Sequence, residues 1–216
     1  MRVSILCSNA KHPVYPRLLQ WKQSYESVHE VELVDSKEML SGGDILFLIS
    51  CHEFIGSEVR NKYSVTLVIH ASDLPKGRGW SPHVWQILEG EKDITLSLLE
   101  AEDKIDSGAI WRKEIFHLEG HELADEINEK LFDIEIKMLD FALDNYGSVI
   151  PQLQDDQEAT YYPKRTPDNS RIFPEKTIAE QFDLLRTADS KRFPAFMDYR
   201  GCRYYLRCEK AEPVSE

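Results

Sequence analysis

The chain has 216 residues, enough for one domain with a full core or one domain plus a small appendage. Its 26 Lys and Arg stand against 38 Asp and Glu, a formal charge of −12, which repels a phosphate polyanion and argues against nucleic acid as a partner. No run of about 18 apolar residues is present, and the apolar segment near Met1 is too short for a secretion signal, so the expectation is a cytoplasmic protein that does not span a membrane.

Residues 2–7 read as a first strand through Val3, Ile5 and Leu6, and residues 16–28 as a helix that Pro13 and Pro16 help to start. No G-x-G-x-x-G motif follows the strand, which disfavours a conventional dinucleotide site. Residues 31–34 read as a short second strand. Residues 44–49, DILFLI, introduced by Gly42 and Gly43, read as a buried parallel strand. Strands alternating with helices imply right-handed βαβ units, hence an α/β protein with a mainly parallel sheet. Ser50, Cys51, His52 and Glu53 follow at the end of the third strand, where a solvated loop pair is the commoner role for His52 and Glu53. The four cysteines, Cys7, Cys51, Cys202 and Cys208, contain no CxxC pair and no zinc-ligand spacing, so neither a disulfide framework nor a metal is expected.

Residues 65–69 are the next apolar run, and the turn formers of residues 72–79 cannot continue it. His70 therefore sits at the carboxyl end of a strand, where ligands bind in open α/β sheets. Asp106 lies similarly, beyond a strand at residues 94–99 and a polar connection. A carboxylate bonded to one imidazole nitrogen fixes the tautomer and leaves the other nitrogen free for proton transfer, so His70 and Asp106 are expected to meet. Lys76 and Arg78 read as exposed basic residues placed to meet a phosphate or a carboxylate. Residues 80–88 read as a helix with Pro82 in its first turn, and Trp80 and Trp85 as packing residues or ligand walls.

Residues 119–146 give the longest helical pattern, with Leu123, Ile127, Leu131, Ile134, Met138, Phe141 and Ala142 on a core face. His117 and His121 lack a third metal ligand. From Pro151 the composition changes. This divides the chain into a domain of residues 1–150 and a segment of residues 151–216, a linker followed by a small helix and hairpin. Residues 177–188 read as the helix, and residues 197–199 and 203–208 as strands around Arg200-Gly201. Exposed apolar residues of that hairpin offer a surface for a two-fold homodimer. Residues 151–210 hold 11 Lys and Arg against 10 Asp and Glu, so basic groups for a phosphate-bearing ligand are expected here.

The string His70-Ala71-Ser72-Asp73-Leu74-Pro75-Lys76-Gly77-Arg78-Gly79, followed by Ser81-Pro82 and Asp106-Ser107-Gly108, resembles the formyltransferases that use N10-formyltetrahydrofolate. Gly79-Trp80-Ser81-Pro82 and Tyr161-Tyr162-Pro163-Lys164-Arg165-Thr166-Pro167 resemble the branch that formylates nucleotide-linked amino sugars. The resemblance covers residues 44–208 and is more specific in its early part. It implies a Rossmann-like catalytic domain with a short C-terminal helix and β-hairpin. The implied reaction carries formyl from N10-formyltetrahydrofolate to the primary amine of a nucleotide-linked amino deoxysugar, for surface polysaccharide biosynthesis, without a metal. It also implies His70 and Asp106 as catalytic residues. Ser50, Cys51 and His52 with Leu74, Pro75, Lys76, Arg78 and Gly79 are implied for the folate, and Trp80, Tyr162, Lys164 and Arg165 for the substrate. Transfer-RNA formyltransferases carry a longer barrel after this domain, and the expectation here is a chain without one.

One position departs from the family pattern. The catalytic Asn two residues before the His is Val68 here, and the alternative position, four residues before, is Thr66. Positions 66, 68 and 70 of a strand face the same way, which makes the Thr66 hydroxyl the candidate third catalytic group. Removing a donor to a developing oxyanion costs about 100- to 1000-fold in rate. The alternatives are therefore a folate- or nucleotide-binding relative with weak or no turnover, and a formyltransferase with another amine acceptor.

Overall fold

In the computed structural model, which describes residues 1–211, the apolar runs of the first half become neighbours in one six-stranded sheet. The elements in order are β1 (Arg2–Leu6), α1 (Tyr15–Tyr25), β2 (Glu30–Val34), β3 (Gly43–Leu48), α2 (Ser57–Arg60), β4 (Tyr63–His70), β5 (Arg78–Gly79), α3 (Pro82–Leu88), β6 (Asp93–Glu100) and β7 (Ile110–His117). They continue with α4 (Ala124–Asp144), β8 (Tyr161–Tyr162), α5 (Phe182–Arg186), β9 (Ala195–Tyr199) and β10 (Cys202–Leu206). The sheet order is β2-β1-β3-β4-β6-β7, with the first four strands parallel and β6 and β7 antiparallel. The order reverses between β1 and β3, so a crevice is expected beyond their carboxyl ends. The fold is α/β with a mainly parallel sheet, and α5 and the β9–β10 hairpin close it.

Alternation assigns the two faces. Val3, Ile5, Ile45, Phe47 and Leu67 pack with Leu18 and Trp21 of α1 and with Ile127, Leu131, Ile134 and Met138 of α4. Leu6, Leu46 and Leu48 face the other way, toward Leu40, Ile55 and Val59. Arg17 of α1 pairs with Glu129 and Asp133 of α4, and the Trp21 indole donates to Asp140 at 2.7 Å, which fixes these helices against each other. Among the described residues no helix is long and apolar enough to cross a membrane.

Several boundaries differ from the sequence expectation, each for a local reason. The third helix begins at Pro82 rather than residue 80, because Ser81 adopts the left-handed conformation with φ 49°. The long helix begins at Ala124 rather than residue 119. Gly120 has φ +104°, and the Glu122 carboxylate accepts the backbone N–H groups of Glu119 and Gly120 at 3.0 Å. The helix read over residues 177–188 is a single turn at Ala179–Gln181 and then α5. The Gln181 amide breaks it by bonding Phe173, Lys176 and Thr177 backbone groups. Strand β7 escapes a pattern reading because Arg112, Lys113 and Glu114 interrupt its apolar signal at the sheet edge.

Glu135 lies among the buried residues of α4 and one of its carboxylate oxygens has no partner. Burial pushes its carboxyl up to about 8. The folded state thus keeps a proton that the unfolded chain releases near the ordinary carboxylate range. The associated stability is fully present at acid pH and is lost as pH rises through about 8. We expect stability to fall by a few kcal/mol, roughly, between pH 5 and 8 in urea denaturation, and Glu135→Gln to remove most of that slope.

Candidate active site

The turn that follows β4 organises the polar groups at the strand ends. Its carbonyl at Gly77 accepts a hydrogen bond from His70 Nε2 at 2.8 Å, which assigns the ring proton to that nitrogen. Its N–H at Gly79 donates to Asp106 Oδ2 at 2.9 Å. Between the two, His70 Nδ1 faces the same Asp106 oxygen at 3.5 Å, with the two side chains 8% and 9% exposed. A neutral ring protonated on Nε2 presents an acceptor at Nδ1, and a carboxylate is also an acceptor. A proton arriving at Nδ1 is therefore the group that would satisfy both. The sequence expectation that one nitrogen stands free requires correction: Nε2 is engaged by the turn, and Nδ1 is the nitrogen turned toward the carboxylate.

This turn is held from later in the chain. Strand β5 pairs in parallel with β8, and Thr160 accepts from the Gly77 N–H through its hydroxyl at 2.8 Å and from the Arg78 N–H through its carbonyl at 2.9 Å. Gly79 has φ +107°, and a Cβ there would lie 2.4 Å from the Tyr162 carbonyl oxygen, so only glycine permits this approach. Arg78 was expected at the surface as an anion binder, but its side chain is fully buried. Its guanidinium bonds the Tyr161 hydroxyl at 3.3 Å, Gln154 Oε1 at 2.8 Å and the Asp156 carboxylate at 2.8 Å. Gln154 Nε2 then donates to the carbonyls of Asp106 at 3.0 Å and Gly108 at 2.7 Å. Arg78 is thus a tie between the two loops that carry the site, made through its Nη groups, while its buried Nε has no partner.

Other expected residues fall into three groups. His52, Trp80 and Lys164 come together from three loops: the His52 ring stacks on Trp80 at 6.1 Å, and Lys164 Nζ stands 4.8 Å from the Trp80 ring. Beside them, Ser8 links Cys51 Sγ at 3.4 Å to the His52 N–H at 3.1 Å, and Ser50 Oγ is 3.4 Å from His12 Nε2. Pro75 and the exposed Lys76 flank the same turn. A second group is structural. Leu74 is buried with Leu99 and Ile110, while Tyr162 bonds Glu89 at 2.6 Å and stacks on Trp85. Burial and the Glu89 carboxylate push the Tyr162 phenol above its ordinary range, so this hydroxyl is occupied rather than offered to a substrate.

Thr66 is the third case. It shares a face with His70 but lies four residues, roughly 13 Å, away along β4, beyond hydrogen-bond reach of anything at the imidazole. It lines a depression with Tyr63, Trp111 and Tyr146 instead, and its hydroxyl is buried without a partner. The family pattern, with its alternative position four residues before the His, and face parity together had suggested a catalytic role for Thr66; distance along the strand argues against it. Val68 packs on the apolar group of Leu74, Leu99 and Ile110, so no side-chain carboxamide reaches the site from β4. Sequence reasoning missed Gln154 and Thr160, whose partners lie 46 to 83 residues away, and also His12 and His83. Both histidines are pushed down to about 4, mainly by burial, with Arg192 opposing protonation of His12, and Arg165 and Arg192 that of His83. Among the described residues no group of three or more His, Cys, Asp or Glu is placed to hold a metal.

Residues 5–143 match the formyl transferase family, and the chain belongs to it. A methionyl-tRNA formyltransferase of Rickettsia bellii is 27% identical over 170 residues, covering 77% of this chain and 52% of that protein. The chain spans about half the length of the curated relatives it matches. Among solved structures, a methionyl-tRNA formyltransferase from Clostridium thermocellum superposes with TM-score 0.85 at 24% identity, covering 98% of this chain and 94% of the other. HypX from Aquifex aeolicus in complex with tetrahydrofolic acid gives 0.80 at 22% identity, covering 96% and 37%. A sugar N-formyltransferase from Shewanella gives 0.73 at 17% identity, covering 100% and 99%. At these identities the superpositions establish a shared fold.

The geometry makes Gln154 a positioning residue for the loop of Asp106. We expect Gln154→Ala to accelerate amide exchange at Gly79 and Gly108 by roughly tenfold or more while leaving exchange in β1 and β3 unchanged, as measured by hydrogen–deuterium exchange.

Proposed function

We propose that this protein transfers a formyl group from N10-formyltetrahydrofolate to the primary amine of a nucleotide-linked amino sugar. The observation that carries the reading is His70 held between the Gly77 carbonyl and Asp106 at the end of a parallel strand. The neutral amine attacks the formyl carbon, the bond from that carbon to N10 breaks, and N10 keeps the electron pair and gains a proton. The proton released by the amine is taken up at the His70 Nδ1–Asp106 edge and passed on to N10, and Asp106 stabilises the transient imidazolium. Because Nε2 is bonded to the turn, the ring is fixed in orientation while this proton moves.

The residues near this centre fit a folate. We assign to the folate the residues that follow the adjacent parallel strands β3 and β4, namely Ser50, Cys51 and His52 after β3 and Pro75 and Lys76 after β4, on the strength of the family resemblance. Exposed Lys76 has no ion-pair partner among the described residues and suits a glutamate carboxylate. Trp80 and Lys164 offer an aromatic face and a cation to the acceptor. With Val68 in place of the expected carboxamide, stabilisation of the developing oxyanion is left to the imidazolium and backbone N–H groups.

A second reading, an aminoacyl-tRNA acceptor, is favoured by the likeness to the methionyl-tRNA formyltransferases of Rickettsia bellii and Clostridium thermocellum. Chain length does not separate the two readings, since the Clostridium chain is covered to 94%. The charge of −12 favours the smaller acceptor. Incubation with formyl donor and either a panel of nucleotide-linked amino sugars or charged tRNA, read as a mass gain of one formyl group, decides between them. We expect His70→Ala and Asp106→Ala each to reduce transfer by about 100- to 10,000-fold with unchanged melting, and Thr66→Val to leave it within about twofold. Val68→Asn should raise turnover by about 10- to 100-fold. Wild-type turnover in the His70 variant would sink the assignment.

A further inference from the structure

Strand β6 covers only part of β4. It pairs with β4 over Leu67 to His70, and after Glu100 the chain leaves the sheet, with the Ala101 N–H donating to the Thr66 carbonyl at 2.8 Å. Along Tyr63 to Thr66 the β4 backbone therefore has β3 on one side and, among the described residues, no strand on the other. The space so left forms a depression of about 550 Å³, a volume that suits a small molecule. Thr66 lines it, is 5% exposed, and has a buried hydroxyl with no hydrogen-bond partner. Such a hydroxyl is unfavourable unless an entering group bonds to it. Thr66 stands roughly 13 Å from His70 along the strand, so the depression is separate from the candidate active site.

The uncompensated charge around the depression is negative. Glu100 and Glu102 line it, and neither has an ion-pair partner among the described residues. The Trp111 indole donates to Glu100 Oε1 at 2.9 Å, which fixes that carboxylate in place. Tyr146 and Gly147, which follow the end of α4, also line it. The carbonyl end of this 21-residue helix favours a cation, and its last turn holds no basic residue. Arg60, also in the lining, is engaged elsewhere: it donates to the Ile55 carbonyl at 2.7 Å and to Asp103 at 2.6 Å. An entering ligand would thus find two carboxylates, a helix C-terminus, an unbonded hydroxyl and the aromatic surface of Trp111 and Tyr146.

We propose that this depression binds a small organic cation, an aliphatic amine whose ammonium group meets Glu100 and the Thr66 hydroxyl while its methylene chain lies along Trp111 and Tyr146. Carboxylates beside an aromatic wall suit an ammonium group, which takes hydrogen bonds from neither but donates to one and is drawn to the other. A second ammonium on the same chain would meet the exposed Glu102. A metal ion is the poorer fit, because among the described residues no group of three or more His, Cys, Asp or Glu is placed to hold one. The site stands independently of the formyl-transfer reading.

The test uses the full chain with putrescine, with butanediol as its uncharged counterpart and calcium as a competing cation, at matched ionic strength. The readout is the nitrogen–proton NMR spectrum of the labelled protein, in which Trp111→Phe identifies the Trp111 indole signal. Putrescine is expected to shift that signal and the Thr66 and Glu100 amides saturably, with one affinity, and to leave the indole of Trp21 in the large core unmoved. Glu100→Gln, which keeps an acceptor for the indole, should weaken binding by roughly tenfold and the isosteric Thr66→Val by roughly threefold. Glu102→Gln, at an exposed position with little folding risk, should weaken it by about two- to threefold. Absence of a saturable shift, or undiminished affinity in any of the three variants, overturns the site. Butanediol that binds as tightly as putrescine overturns the cation, and calcium that displaces putrescine at a lower concentration overturns the organic class.

Discussion

The two-residue ladder between Arg78–Gly79 and Tyr161–Tyr162 is the contact on which the site depends. Everything at the imidazole is set by the backbone of Gly77 to Gly79: one carbonyl orients the ring and one N–H orients the carboxylate. Such a turn has no regular structure of its own to hold it. Thr160 and Tyr162 supply the missing hydrogen bonds, and the Arg78–Gln154 tie carries the same support to the Asp106 loop. The result is preorganisation of two loops through a third, which matters because small displacements at a reacting centre are costly in rate.

The sheet divides labour between its faces. One face carries the large core against α1 and α4, while the other is thinner and holds the small apolar group of Val68, Leu74, Leu99 and Ile110 under the turn. The imidazole emerges on this thinner side, at the carboxyl end of β4, one strand removed from the reversal of strand order between β1 and β3. Charge is divided as well. A strongly acidic chain carries Lys164, Arg165 and Arg192 in its later segment, and burial keeps His12 and His83 neutral.

His70 and Asp106 were legible from the sequence because both sit where an apolar run gives way to turn formers, and because the residues between them form a recognisable string. The strand pattern was legible for the same reason, since buried parallel strands are nearly continuous apolar runs. Arg78 was not, because its burial is decided by Gln154, Asp156 and Tyr161, more than 70 residues further on. Tyr162 was misplaced likewise: its hydroxyl is captured by Glu89 rather than presented to solvent. Thr66 illustrates a limit of parity, which gives a side chain's face but not its distance from the site. Helix ends were set by side-chain caps at Glu122 and Gln181 that no hydrophobic period encodes.

The Thr160–Gly77 hydrogen bond spans 83 residues, and this separation bears on how the protein comes into being. The parallel sheet and α4 are complete in sequence by Asp144, so a growing chain can form its core before the stretch that braces the turn has left the ribosome. At that stage the imidazole and the carboxylate are already attached to the sheet, but their spacing is not yet imposed. With the sheet and α4 in place, the segment left to close runs only from Asp144 to Thr160, so the brace costs far less loop entropy than its separation along the chain suggests. In order of synthesis the core thus precedes the segment that sets the spacing of the two groups.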